Sequence, residues 1–181
     1  IMFGLNLVVH KGKTIFVGDT SVHEYPTSEQ MADMAISAAR VVRLFGFEPK
    51  VAFVSHSTFG QPLTSRTKHI KNAVEILKEK NVNFEFDGDM QPDVALNDEY
   101  KSLYPFSKIV GNANILIMPG QHSAAISYKM MKTLGDTKVI GPLLIGLGLP
   151  IEIAPLRSST SEILNLASIA AYSADIIDYK Q

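Results

Sequence analysis

Apolar residues in this chain switch period repeatedly between two and 3.6, and few folds accept that alternation. Strand-like and helix-like segments in turn specify an α/β protein, its sheet covered by helices on both faces. Leu5 to Val9 and Thr14 to Val17 flank His10-Lys11-Gly12-Lys13, which predicts a β-hairpin. Pro26-Thr27-Ser28-Glu29-Gln30 reads as a helix start, with Thr27 as cap and Gln30 completing a capping box. Met31, Met34, Ala35, Ala38, Val41 and Val42 form its apolar stripe, and Gly46 ends it. Val51 to Val54 predicts a buried strand, and Ser65 to Lys80 a helix with Ile70, Val74 and Leu77 inward. Phe84 to Phe86 is a short strand candidate. Asp87 to Lys108 reads as a long polar excursion with one short helix near Asp98 to Leu103. Ile115 to Met118 is a further buried strand, followed by a helix over Ser123 to Leu134. Val139 to Leu149 reads as a strand with glycines at points of close approach, and Ile151 to Ala154 as a last short one. A helix over Ser159 to Asp178 closes the chain, with Ile163, Leu166, Ala167, Ala170 and Ala171 inward. No repeat, low-complexity stretch or linker divides it, so residues 1–181 read as one three-layer α/β/α unit.

Composition narrows what such a unit does. A chain of 181 residues buries roughly two thirds of its unfolded surface. A net charge of −1 gives no pull toward nucleic acid or an anionic membrane. Cysteine is absent, which removes disulfides, thiolate zinc sites and a cysteine nucleophile, and fits a reducing, cytoplasmic setting. No apolar run has the length of a membrane span, and the start lacks the pattern of a signal peptide. The first residue is Ile1 rather than Met, so further sequence is expected ahead of it.

In open α/β sheets, ligands collect beyond the carboxyl ends of strands, so the loops there are the candidates. Ser55-His56-Ser57-Thr58-Phe59-Gly60 offers hydroxyls, Ser55 and Ser57 foremost, ahead of a helix start. It reads as an anion site or as an ordinary capping loop. Pro119 to Ala125 carries His122, a general base, a ligand or a structural hydrogen-bonder. Pro155-Leu156-Arg157-Ser158-Ser159-Thr160 places one Arg and several hydroxyls before the last helix. That is a phosphate clamp, or an exposed Arg157 beside a serine cap. Of the five histidines only His56 and His69 are placed to approach each other, and no carboxylate completes a metal triad. Asp87, Asp89 and Asp93 cluster in what reads as a solvated loop, although such a cluster also suits magnesium. There is no Gly-x-Ser-x-Gly, Walker motif or GxGxxG.

Several phrases, in order along the chain, resemble the phosphate acetyltransferase and phosphate butyryltransferase family. They are Asp19-Thr20-Ser21-Val22, Phe47-Glu48-Pro49-Lys50-Val51-Ala52, Ser55-His56-Ser57, Asp87-Gly88-Asp89-Met90-Gln91-Pro92-Asp93, Ala113-Asn114-Ile115-Leu116 and Ile140-Gly141-Pro142. Leu103 to Ser107, Gln121 to Ile126 and Gly141 to Gly146 are similar to the versions in the C-terminal domain of NADP-dependent malic enzymes. The resemblance implies a fold related to isocitrate and isopropylmalate dehydrogenases, with two subdomains and a cleft for coenzyme A. This chain would be the second subdomain plus the closing C-terminal segment, in a homo-oligomer, a dimer or larger.

Two departures bear on activity. The family's N-terminal subdomain, one wall of the cleft, is absent here. Active members also carry a Ser-Arg-Gly turn before the last helix and an Asp at its start. There the Ser and Asp deprotonate the thiol and the Arg holds phosphate. Counting back from Glu162-Ile163-Leu164-Asn165, the turn falls on Pro155, Leu156 and Arg157, with Glu162 in place of the Asp. Shifting by one keeps Arg157 but puts Leu156 where Ser belongs. Tyr128-Lys129 matches the family's helix, so Lys129 is a candidate for a coenzyme A phosphate, while Thr133 replaces an expected Arg. Losing the thiolate-forming base costs roughly 10²–10⁴ in rate, whereas binding needs only shape and cations. The expected ligand contacts are therefore Ser55, Ser57, Lys129, Arg157, Ser158 and Ser159, with Glu162 catalytic only if the domain is active. The expected role is an acetyl-CoA-sensing and oligomerisation domain of a malic enzyme. NADP and a divalent metal would lie in upstream catalytic domains of the same full-length chain, which oxidise malate to pyruvate and CO2. A truncated active transferase and a ligand-free dimerisation module are the alternatives.

Overall fold

The computed structural model describes residues 1–176. Strands β1 (Phe3–His10) and β2 (Lys13–Gly18) form the expected hairpin, in register from Leu5 opposite Gly18 to His10 opposite Lys13. The two-residue turn needs left-handed backbone at both centres, and Lys11 (φ 47°) and Gly12 (φ 77°) supply it. Helix α1 (Ser28–Leu44) starts at the predicted reciprocal capping box: Gln30 N–H donates to Thr27 Oγ1 and Thr27 N–H to Gln30 Oε1. Every residue of its predicted apolar stripe is buried, and Gly46 (φ 81°) follows its end. Next come β3 (Lys50–Val54), α2 (Ser65–Glu79), β4 (Glu85–Met90), α3 (Pro92–Leu96), α4 (Asp98–Lys101) and β5 (Ile115–Ile117). The chain continues through α5 (Gln121–Leu134), β6 (Thr137–Ile145), β7 (Ile151–Glu152) and α6 (Thr160–Ile176). The predicted end of the last helix, at Asp178, lies outside the described residues.

One seven-stranded sheet has the order β4-β3-β5-β2-β1-β6-β7. Strands β2, β5, β3 and β4 are parallel, while β1 runs antiparallel to both β2 and β6, and β7 antiparallel to β6. Alternation sends Phe3, Leu5, Phe16, Phe53, Ile115 and Leu143 into one core with α1 and α2. Val8, Val17, Ala52, Val54, Leu116 and Val139 face a second core with α3 and α5. The three-layer reading is correct, and both cores are largely apolar, with Asn6 of β1 a buried polar exception.

Two segments correct the sequence reading. Asp87 and Asp89 do not lie in a solvated loop. They sit in β4, paired in parallel with β3, and both are buried. Their oxygens face loop N–H groups rather than water: Asp87 Oδ2 accepts from Lys108 N–H at 2.8 Å and Asp89 Oδ1 from Gly60 N–H at 3.0 Å. Only Gly fits between them, because a Cβ at Gly88 would stand 2.7 Å from Phe53 Cβ. The second correction concerns α6. Of its predicted inward residues only Leu166 is buried, whereas Ile163, Ala167 and Ala171 are exposed. The helix packs on β6 and on β7, the two-residue strand at the sheet edge, so little described structure covers it.

Candidate functional site

The carboxyl ends of β2, β5, β3 and β4 open on the same side, and the loops leaving them form the candidate site. The loop after β2 is organised by Asp19, which is fully buried. Its Oδ1 accepts N–H groups from Gly4, Ser21 and Val22, and its Oδ2 accepts the N–H and ring Nδ1 of His23 at 2.7 Å each. An Asp directly after a strand, followed by small polar residues, is the local signal for such a turn. It fixes the path of Glu24 and Tyr25.

Ser55 and Ser57 do not face an open anion site. Both are buried, their hydroxyls lie 3.3 Å apart, and Ser57 Oγ donates to Asp89 Oδ2. Phe59 N–H donates to the Asp89 carbonyl at 2.7 Å and Gln91 N–H to Thr58 Oγ1 at 3.2 Å. The donors a phosphate would use are thereby spent inside the protein, holding the β3 and β4 loops together.

At the turn before α6 the helix cap is likewise satisfied from within, although Ser158 Oγ is not. Ser159 and Glu162 form a reciprocal capping box: Ser159 N–H donates to Glu162 Oε2 at 2.7 Å and Glu162 N–H to Ser159 Oγ at 3.3 Å. Lys132 Nζ on α5 reaches Glu162 Oε1 at 2.8 Å. The lysine, and after it the Ser159 donors, pull the Glu162 carboxyl down to about 2, so it is a weak proton acceptor at neutral pH. Ser158 lines a small pocket with Tyr128, Lys132 and Glu162, and its Oγ is buried without a partner. Arg157 and Lys129 are both exposed, and Leu156 beside Arg157 is fully so.

A larger opening than the Ser158 pocket lies elsewhere. A cavity of about 580 Å³ sits between the first turns of α1, α2 and α5, over the carboxyl end of the sheet. The Arg66 guanidinium lies 5.6 Å from the centre of the Tyr25 ring. His69 Nε2 faces the Pro26 carbonyl at 2.7 Å and therefore carries a proton, while its Nδ1 meets Ser28 Oγ at 3.0 Å. His122 Nε2 pairs with Glu24 Oε1 at 3.1 Å on the rim. His122 thus enters this cavity as a hydrogen-bonded rim residue. His69 and His56 share no metal site, and no group of three potential ligands occurs among the described residues. Sequence reasoning missed Arg66, Tyr25 and Glu24. They carry no motif, and only folding gathers them.

A mixed sheet with a parallel half and an antiparallel half, helices on both faces and a cavity at the parallel strand ends define an α/β domain. Residues 1–171 match the family model described as phosphate acetyl/butaryl transferase, and the chain belongs to that family. It is 46% identical over 173 residues to the NADP-dependent malic enzyme of Rhizobium meliloti, covering 96% of this chain and 23% of that protein. It is 36% identical to the phosphate acetyltransferase of Clostridium acetobutylicum, covering 88% of this chain and 49% of that one. A phosphotransacetylase structure from Streptococcus pyogenes superposes with a TM-score of 0.90 at 30% identity, over 97% of this chain and 54% of the other. The chain thus spans under a quarter of the malic enzyme it matches and about half of the transferases.

Proposed function

We propose that residues 1–181 form a phosphotransacetylase-like regulatory and oligomerisation domain of an NADP-dependent malic enzyme, binding acetyl-CoA without transferring its acyl group. In this reading the catalytic domains, with NADP and a divalent metal, belong to the same longer chain in the cytoplasm. The observation that carries it is the state of Glu162. The one carboxylate that aligns with the family's base is tied to Lys132 and to its own helix cap, and held at about 2. A thiol could not pass its proton to such a group with useful driving force. The family's serine is replaced by Pro155 or Leu156 in either register, so the second acid–base partner is missing as well. A binding site without chemistry acts by differential affinity for two states of the protein it belongs to. Apolar side chains left uncovered on the last segment, Ile153, Leu156 and Leu164 among them, suit packing against the rest of that protein or a second copy.

The test uses the full-length protein. Acetyl-CoA should change the rate of NADP-dependent malate oxidation, while acetyl phosphate and coenzyme A should yield no acetyl-CoA. Measurable acetyl-CoA synthesis that is lost in Glu162→Gln would instead establish a working transferase.

A further inference from the structure

We propose that the cavity between α1, α2 and α5 is a phosphate-binding site built around Arg66, and that the turn before α6 is not. Two positions compete for an anion in this domain, and the structure separates them. At α6 the helix start is already occupied by the protein's own carboxylate, since Glu162 takes the Ser159 N–H, the Ser159 hydroxyl and the Lys132 ammonium. A second anion there would meet a negative charge at the point where it needs donors. Arg157, on an exposed turn, and the unpartnered Ser158 hydroxyl are the groups left to hold it.

The α1–α2–α5 cavity is the reverse case. Arg66 has no carboxylate partner among the described residues, and its guanidinium is held against Tyr25. Both side chains are exposed, so the guanidinium stands beside the ring at the mouth of the cavity, within reach of an anion there. Ser65 adds a hydroxyl from the α2 wall, whereas Ser123 Oγ on the α5 wall already donates to the Gly120 carbonyl at 2.8 Å. Glu24 is the acidic residue of the lining, and His122 engages it at the rim. Neither α2 nor α5 has an acid in its first turn and α5 has no side-chain cap, so the carboxylates nearest the space are Glu24 at the rim and Glu29 in the first turn of α1. About 580 Å³ is ample for one phosphate with part of the molecule that carries it. The apolar wall of Ile70, Pro26 and Pro119 suits a phosphate ester better than a bare ion.

The proposal deepens the acetyl-CoA reading and also stands apart from it, because a free phosphate has the same chemistry as the 3′-phosphate of the coenzyme. Calorimetric titration of the full-length protein with inorganic phosphate, acetyl-CoA and 3′-dephospho-coenzyme A separates these sources. Arg66→Gln, a change on the surface, should weaken phosphate binding about tenfold, whereas Arg157→Gln should leave it unchanged. If acetyl-CoA loses affinity in Arg66→Gln by the same factor and 3′-dephospho-coenzyme A does not, the coenzyme's 3′-phosphate sits at Arg66. If only inorganic phosphate responds, the site takes the free anion. Binding that depends on Arg66, in a protein that acetyl-CoA neither binds nor regulates, would keep this inference and sink the regulatory reading. Unchanged affinities in Arg66→Gln, losses confined to Arg157→Gln, or no phosphate binding by the unaltered protein would overturn the inference.

Discussion

Ser57→Ala distinguishes a structural hydroxyl from a ligand-binding one at the position the family phrase singles out. Ser57 is fully buried, and its Oγ donates to Asp89 Oδ2, an oxygen of a residue that is itself 1% exposed. The other oxygen, Oδ1, is held by Gly60 N–H at 3.0 Å. Deleting the hydroxyl removes one hydrogen bond and strands a buried acceptor that water cannot easily reach. Such an orphan costs about 1–3 kcal/mol, and the upper part of that range applies when the acceptor is a carboxyl group. We expect a loss of about 2 kcal/mol, which in a domain this size lowers its transition by roughly 4–8 °C. The loss should be shared with the partner. In a double-mutant cycle with Asp89→Asn, coupling of at least about 1 kcal/mol is expected, since the two groups touch. Urea unfolding of the four proteins, followed by circular dichroism, gives the terms directly. A cost below about 0.5 kcal/mol with no coupling would refute the network and return Ser57 to the list of ligand contacts.

Two further outcomes follow from other sites. Burial raises the Glu152 carboxyl to about 7, and its Oε2 has no hydrogen-bond partner. The folded protein therefore keeps a proton that the unfolded chain releases near 4.5, so stability is full below that pH and falls as pH rises through 7. Discounted for a half-buried group, the loss is about 1–2 kcal/mol, and Glu152→Gln should remove that part of the slope. Identical pH slopes in urea midpoints for both proteins would contradict this assignment. At Gly120, a Cβ would stand 2.2 Å from the Glu24 carbonyl oxygen. Gly120→Ala should cost about 1–3 kcal/mol and disturb the cavity rim, and an unaltered melting temperature would refute the close contact.

The local elements were readable because each is announced by side chains near one another in the chain. Thr27 and Gln30 mark a helix start, and Lys11-Gly12 marks a hairpin turn, because both are short-range backbone solutions. β4 was misread for the opposite reason. Asp and Gly disfavour strands on their own, and Asp87 and Asp89 tolerate one only because Lys108 and Gly60, distant in sequence, bring N–H donors to them. Ser159 and Glu162 had the spacing of a capping box throughout. The serine cap was legible there, and the distances add Glu162 as its reciprocal partner. The cavity had no local signal at all. Arg66 meets Tyr25, and His122 meets Glu24 across 98 positions, through the packing of three helix starts on one sheet.

The sequence by itself determined most of the order of strands and helices, the two-sided burial of the sheet and the phrases that mark this chain's family. Those properties depend on periodicity and short-range capping, which a linear reading preserves. Which polar groups remain available for a ligand was decided only by the tertiary structure. A hydroxyl or a carboxylate is free or spent according to what folding brings within about 3 Å of it. Here folding spends Ser57 and Glu162 and sets Arg66 beside Tyr25, with no carboxylate partner among the described residues.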